Sequence, residues 1–295
     1  MASERIGVWA AVLSSTFGGM AAAVTRFAIV DTDPVTLAAF RFGGGFVLLL
    51  PLALAARSRW PRGKDWPGVA GLGLMFFAFF FILYNQAMAY TTASRGALAL
   101  SVLPLATMVV AAVLGVERLT PRKTAGVLIA IGGVATALAA GLATAPPGAW
   151  RGDAIMAGAT LCMSLYNVWS RPFIARSSAL GFVTAGMGVG GICLVVLAAV
   201  SGGFASVGRF AVPQFLAVGY LGVFGGAAAF YLWVFALQRT TPTRVASTMT
   251  VNPIAASLLA AAIVGEPLGL PLLIGVIAVA LGIWVATTEH ARATV

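Results

Sequence analysis

The 295-residue chain holds one histidine, two cysteines and only eight acidic residues. The single histidine, His290, stands close to the C-terminus. No HExxH pattern, no Ser–His pair within an apolar segment and no pair of Asp residues in the middle of one occurs. Zinc, serine-hydrolase and intramembrane-protease chemistry therefore lack their parts. No Walker motif is present, so nothing points to ATP hydrolysis. The glycine run Gly186-Met187-Gly188-Val189-Gly190-Gly191 follows no strand pattern and is no dinucleotide loop. Cys162 and Cys193 lie in apolar stretches, where small-residue packing is the default. Two cysteines are too few for a metal site or a disulfide framework. No cofactor and no enzymatic activity are expected. Charge is scarce as well: 9% of residues are charged, against about 25% in a soluble domain. Water is not the main solvent of this chain.

What replaces charge is apolar length. Hydrophobic residues make up 60% and the mean hydropathy is +1.00. A helix crossing a hydrocarbon core about 30 Å thick needs roughly 20 apolar residues. Ten such stretches are expected, over 6–28, 34–56, 68–90, 94–115, 124–142, 152–170, 182–202, 214–237, 244–264 and 271–289. Strands of a membrane barrel alternate apolar and polar residues. The run from Phe76 to Leu83 does not. The expected fold class is an all-α integral membrane protein. Arg5 followed by an apolar stretch and Ala21-Ala22-Ala23 resembles a cleavable signal peptide. The stretch continues to Val30, longer than a signal core, so it reads as a first membrane helix.

The second half repeats the first at a constant offset of 149 residues. Arg95 falls on Arg244, Val102 on Val251, Pro104 on Pro253, Ala111 on Ala260, Glu117 on Glu266, Gly126 on Gly275 and Gly133 on Gly282. Two five-helix units follow, residues 6–142 and 152–289. Internal repeats of membrane segments point to a secondary transporter with its substrate site at the repeat interface. The basic residues orient the chain. With Met1 cytoplasmic, Arg26, Arg95, Arg151 and Arg209 lie outside and Arg41 lies within the second stretch. The other thirteen of eighteen Lys and Arg residues lie inside, a positive-inside bias. This topology accounts for the net charge of +10 without nucleic acid. Both termini are expected in the cytoplasm. An odd number of helices per unit inverts the second unit relative to the first, the duplication that gives alternating access.

Gly115-Val116-Glu117 and Gly265-Glu266-Pro267 close the fourth helix of each unit. A short polar turn and a glycine-rich fifth helix follow (Gly126, Gly132, Gly133; Gly275, Gly282). In these features nearly the whole chain resembles the drug/metabolite transporter superfamily, with EamA-type repeats. Its length and aromatic third and eighth helices look similar to the YddG-type exporters of aromatic amino acids. The resemblance implies an inner-membrane exporter of small metabolites with ten helices around a central cavity.

The residues themselves narrow the chemistry. An intramembrane charge costs at least about 2.5–3.5 kcal/mol, so one that persists suggests function. Glu4, Asp31, Asp33, Asp65, Glu117, Asp153, Glu266 and Glu289 all sit at helix ends or in loops. No mid-membrane carboxylate exists to exchange a proton for a cation, which favours facilitated export or exchange. Arg41 has two readings: an attractor of a substrate carboxylate, or a side chain snorkelling to the headgroups or pairing with Asp31 or Asp33. Candidate cavity residues are the polar and aromatic groups in apolar helices. Phe81, Tyr84, Asn85 and Met88 form two adjacent stripes on the third helix. Tyr166, Asn167 and Trp169 come from the sixth, Tyr231 and Trp233 from the eighth, and Thr248 and Asn252 from the ninth. Aromatic rings would stack on an apolar substrate side chain, and buried amides would pair its polar ends. The same Asn and Thr groups also serve as interhelical glue. Pro104 and Pro253 sit at matching places in the fourth and ninth helices as candidate hinges. The glycines Gly186, Gly188, Gly190, Gly222 and Gly226 permit close helix approach. An amino-acid carrier is the leading reading, and ten spans in two repeats enclose a cavity without a partner chain. A drug or lipophilic-cation exporter and a non-transporting sensor or scaffold are the alternatives.

Overall fold

The computed structural model describes residues 2–116, 120–140, 145–240, 242–266 and 268–287. Glu117, Arg118, Pro267, Glu289, His290 and Arg292 lie outside these, as do the side chains of Lys123 and Arg244. The described residues form helices and turns with no strand. In chain order the long helices are Ala2–Ala28, Pro34–Ala55, Gly63–Tyr90, Ala93–Val113, Pro121–Ala140, Ala149–Trp169, Ala179–Val200, Val212–Leu237, Val245–Ile263 and Leu270–Thr287. They are called the first to the tenth helix below. Seven of them are long and apolar enough to cross a membrane: the first four and the seventh, eighth and ninth. Thr124–Ala139 and Leu270–Gly282 are shorter apolar stretches within the fifth and tenth. The sixth carries Arg151 and Asp153 in its first turns and is the least apolar.

Local chemistry sets the helix ends. Asp33 caps the second helix, its Oδ1 accepting from the Val35 and Thr36 N–H groups at 3.0 and 2.9 Å. Pro34 at the first turn needs no such partner. Thr92 and Ser178 cap the fourth and seventh helices in the same way. The fourth and ninth helices each stop at a glycine with positive φ, Gly115 at 70° and Gly265 at 72°. Only glycine adopts that left-handed turn without steric cost.

Two irregularities recur at the repeat offset. Leu74–Phe80 in the third helix and Leu221–Ala228 in the eighth take the wider π-helical turn. The fourth helix breaks between Ala93–Leu100 and Leu103–Val113, just before Pro104. The ninth passes through a tight 3-10 turn at Thr248–Thr250 before Pro253. A proline ring cannot accept the preceding turn's geometry or donate into it, so both breaks have the same origin.

Packing follows the duplication. The first helix lies against the eighth and ninth, and the sixth against the third and fourth. The second packs on the seventh, and the fifth on the tenth. Phe42, Phe76, Phe77, Phe81, Tyr166, Phe230 and Trp233 form a continuous buried aromatic core. Val47, Leu52, Val113, Leu128, Val200, Leu216 and Leu273 are exposed on the outside. An apolar exterior on this scale is stable only against lipid.

The second and eighth helices touch backbone to backbone. A Cβ at Gly226 would lie 2.6 Å from the Arg41 carbonyl oxygen, whereas one at Gly219 on the same helix meets nothing within 4 Å. Gly226→Ala is expected to push the helices apart and cost about 1–3 kcal/mol, as overpacking does. Gly219→Ala should not. Thermal unfolding of the purified protein in detergent distinguishes the two.

Candidate binding cavity

At the centre of the bundle seven helices line a small cavity of about 40 Å³. It is lined by Ser14, Ser15 and Gly18 of the first helix, Arg41 of the second, and Phe80, Phe81 and Tyr84 of the third. Leu100, Met163, Ala229, Phe230, Trp233, Met249 and Asn252 complete it from the fourth, sixth, eighth and ninth. Many of these residues are repeat partners. Phe81 and Phe230, Tyr84 and Trp233, Leu100 and Met249, and Ser14 and Met163 each stand 149 residues apart. The cavity is therefore lined from both halves of the chain. Its apolar walls are nearly symmetric, and its polar groups are not. The position matching Arg41 is Gly190, and that matching Asn252 is Leu103.

Arg41 dominates the electrostatics. It is 3% exposed, about 10 Å along the second helix from its start at 1.5 Å per residue. Its Nε and Nη2 donate to the Gly225 carbonyl at 3.0 and 2.8 Å. The guanidinium also lies 4.7 Å from the Phe81 ring centre, 5.4 Å from Phe42 and 5.9 Å from Phe230, a cation–π cage. Its Nη1 has no hydrogen-bond partner. Pairing with Asp31 or Asp33 does not occur, because Asp31 accepts from Gln214 at 2.8 Å and Asp33 caps the second helix. The side chain points inward rather than to the headgroups. Among the described residues no Asp or Glu lines the cavity. Asn252 Oδ1 is a second buried polar atom without a partner.

The candidates from sequence divide into three groups. Arg41, Phe81, Tyr84, Trp233 and Asn252 line the cavity. Asn85, Met88, Tyr166, Asn167 and Thr248 are buried behind it. Asn85 Nδ2 donates to the Pro34 carbonyl at 2.8 Å, tying the third helix to the second. Asn167 accepts from Trp233 Nε1 at 3.2 Å and so fixes a cavity wall. Tyr166 stacks on Phe76 with ring centres 4.1 Å apart. Thr248 pairs with Ser15 at 2.7 Å. Met88 packs at Gly96. Trp169 and Tyr231 do not reach the cavity: Trp169 is 45% exposed on the outer surface, and Tyr231 packs on Phe235. Helical phase explains this, since Trp169 lies two positions beyond the inward-facing Asn167. Ser14, Ser15, Gly18 and Phe230 were missed. The repeat offset would have found Gly18 and Phe230, because they match the candidates Asn167 and Phe81.

One end of the bundle is cross-linked by polar groups around a second pocket lined by Ser94, Arg95, Leu138 and Glu266. Arg95 Nη2 meets Asp153 Oδ2 at 2.5 Å, and its Nη1 donates to the Leu138 carbonyl at 2.8 Å. Glu266 accepts from the Ala93 N–H at 3.0 Å and from Ser94. Arg26 reaches across to the Met88 carbonyl at 3.1 Å. These contacts join the first, third, fourth, fifth, sixth and ninth helices above the cavity.

The pattern of the EamA-like transporter family matches residues 5–139 and again residues 150–288. A protein of Streptantibioticus cattleyicolor described as a "Probable terminal-alkyne amino-acid exporter" is 29% identical over 84% of this chain and 82% of its own. An uncharacterized protein of Pseudomonas aeruginosa, PA1977, is 30% identical over 82% of this chain and 81% of its own. An uncharacterized transporter of Archaeoglobus fulgidus is 22% identical over 94% and 97%. A solved crystal structure aligns with a TM-score of 0.70 over 99% of both chains at 23% identity, a likeness of fold alone.

Trp233→Phe removes the indole N–H and leaves Asn167 Oδ1 buried and unpaired, at a cost of about 1–3 kcal/mol. Trp169→Phe faces outward and is expected to leave the melting temperature unchanged. Thermal unfolding of the two variants, side by side, reads the difference.

Proposed function

We propose that this chain, which belongs to the EamA-like transporter family, is a secondary transporter that exports amino acids with aromatic or bulky apolar side chains. The family and the apolar helices make it a multi-pass membrane protein that moves a small molecule. In this reading all ten long helices cross the inner membrane as two inverted units, residues 6–142 and 152–289. Both termini then lie in the cytoplasm, following the positive-inside bias. The end tied by Arg95, Asp153 and Glu266 is the outer one. A single chain suffices for the route.

The observation that carries the reading is the cavity itself. It is lined from both halves of the chain, walled by the matched rings Phe81, Tyr84, Phe230 and Trp233, with Arg41 and Asn252 as polar poles. An apolar side chain stacks among the rings, and a carboxylate meets Arg41. The similarity to a described exporter of terminal-alkyne amino acids supports an amino acid with a rigid apolar side chain. With no acid among the described residues lining the cavity, transport runs by facilitated diffusion or exchange rather than by proton antiport. Inverted units exchange their roles to open each face in turn. The helix breaks before Pro104 and Pro253 serve as the hinges.

Counterflow tests this. Proteoliposomes loaded with unlabelled phenylalanine, given a trace of labelled phenylalanine and no pH gradient, are expected to accumulate label transiently above empty liposomes. Tyr84→Ala should slow the initial rate about tenfold, which corresponds to ~1.4 kcal/mol. Folded protein that accumulates nothing overturns the amino-acid reading.

A further inference from the structure

We infer that the group this cavity selects is a carboxylate alone, so that aromatic monocarboxylates without an amino group are a further substrate class. The inference rests on the reading of the cavity as the substrate site and extends it beyond amino acids.

Charge balance is the argument. A buried cation whose partner is missing is strongly unfavourable, because solvent no longer stabilises it. Arg41 is such a cation. The Gly225 carbonyl and three ring faces supply partial charge only, and none supplies a full negative one. The acids of the flanking helix ends are engaged elsewhere: Asp31 with Gln214, Asp33 with its helix cap, and Asp153 with Arg95. The counter-ion must therefore arrive with the ligand, and Nη1 is the donor left for it. Guanidinium and carboxylate match in shape as well as charge.

An ammonium group gains nothing comparable. Among the described residues no carboxylate lines the cavity. The ring faces of Phe81 and Phe230, which would otherwise hold a cation, already hold Arg41. Asn252 Oδ1 offers a neutral acceptor, suited equally to an N–H or an O–H. A zwitterion thus restores the positive charge that its carboxylate has just neutralised. A monoanion leaves the site neutral. Arylalkanoates and aromatic 2-hydroxy acids meet this condition, the latter with a hydroxyl available for Asn252.

Four probes decide it on the purified full chain, by titration of ligand-induced thermal stabilisation near neutral pH. They are phenylalanine, 3-phenylpropionate, 3-phenyllactate and 2-phenylethylamine, which share one ring and differ in charge. Both monoanions are expected to bind at least as tightly as phenylalanine, and the amine at least about tenfold more weakly. Arg41→Gln is expected to lose the monoanions at least about tenfold, while Arg41→Lys retains part of their binding. The ranking on wild-type protein stands as a test even where a variant fails to fold. The inference is overturned if the amine binds as well as the acids, if neither monoanion binds, or if a folded Arg41→Gln protein binds them unchanged. Binding of 3-phenylpropionate without phenylalanine counterflow would keep the inference and sink the amino-acid reading. Phenylalanine counterflow without monoanion binding would do the reverse.

Discussion

The contact on which the centre of this molecule depends is the one between Arg41 and the carbonyl of Gly225. Removing an ion from water costs several kcal/mol even after relaxation, and a hydrogen bond to a charged group returns about 1.5–3 kcal/mol. The carbonyl is available because of a backbone irregularity. In the eighth helix the Ala229 N–H reaches the Phe224 and Gly226 carbonyls and passes over that of Gly225. A regular α-helix would have used it. The π-helical turn at Leu221–Ala228 thus turns a helix-internal acceptor into a receptor for a guanidinium, and such turns concentrate at functional sites. Gly226 brings the backbones of the second and eighth helices close enough for the bond to form.

The duplication builds the frame, and departures from it build the chemistry. Matched rings on the third and eighth helices give a cavity whose apolar walls look alike from either unit. Matched breaks in the fourth and ninth helices fall just before Pro104 and Pro253. Arg41 has only Gly190 opposite it in the repeat, and that glycine is filled by close packing against Phe77 and Gly73. A single cation gives the site a direction and a sign.

Much of this was legible in the residues. The segments expected at 34–56 and 182–202 appear as Pro34–Ala55 and Ala179–Val200. Apolar length and capping chemistry are local, and Asp33-Pro34 alone marks a helix start. The cavity was legible in part. Tyr84 and Phe81 line it, but Asn85, four positions from Phe81, turns its amide to the Pro34 carbonyl instead. Phe81–Tyr90 is regular α-helix, so periodicity places Asn85 beside Phe81, but it cannot say that the second helix takes the amide. Trp169 falls on an outward face two positions from Asn167, and Tyr231 packs on Phe235 instead of reaching the cavity. An aromatic residue in a membrane helix is equally at home against lipid.

By itself the sequence determined that this is a helical membrane protein, internally repeated and short of charge. These properties follow from composition, apolar run length and the offset of 149 residues, none of which needs a neighbour in space. Only the tertiary structure decided what Arg41 does. Its pattern in the chain fits a snorkelling residue, an ion pair with Asp31 or Asp33, or a buried receptor equally well. The choice rests on Gly225 and the ring of Phe230, which lie almost two hundred residues away. The energy of a buried charge depends on which groups surround it, and that is a property of the fold.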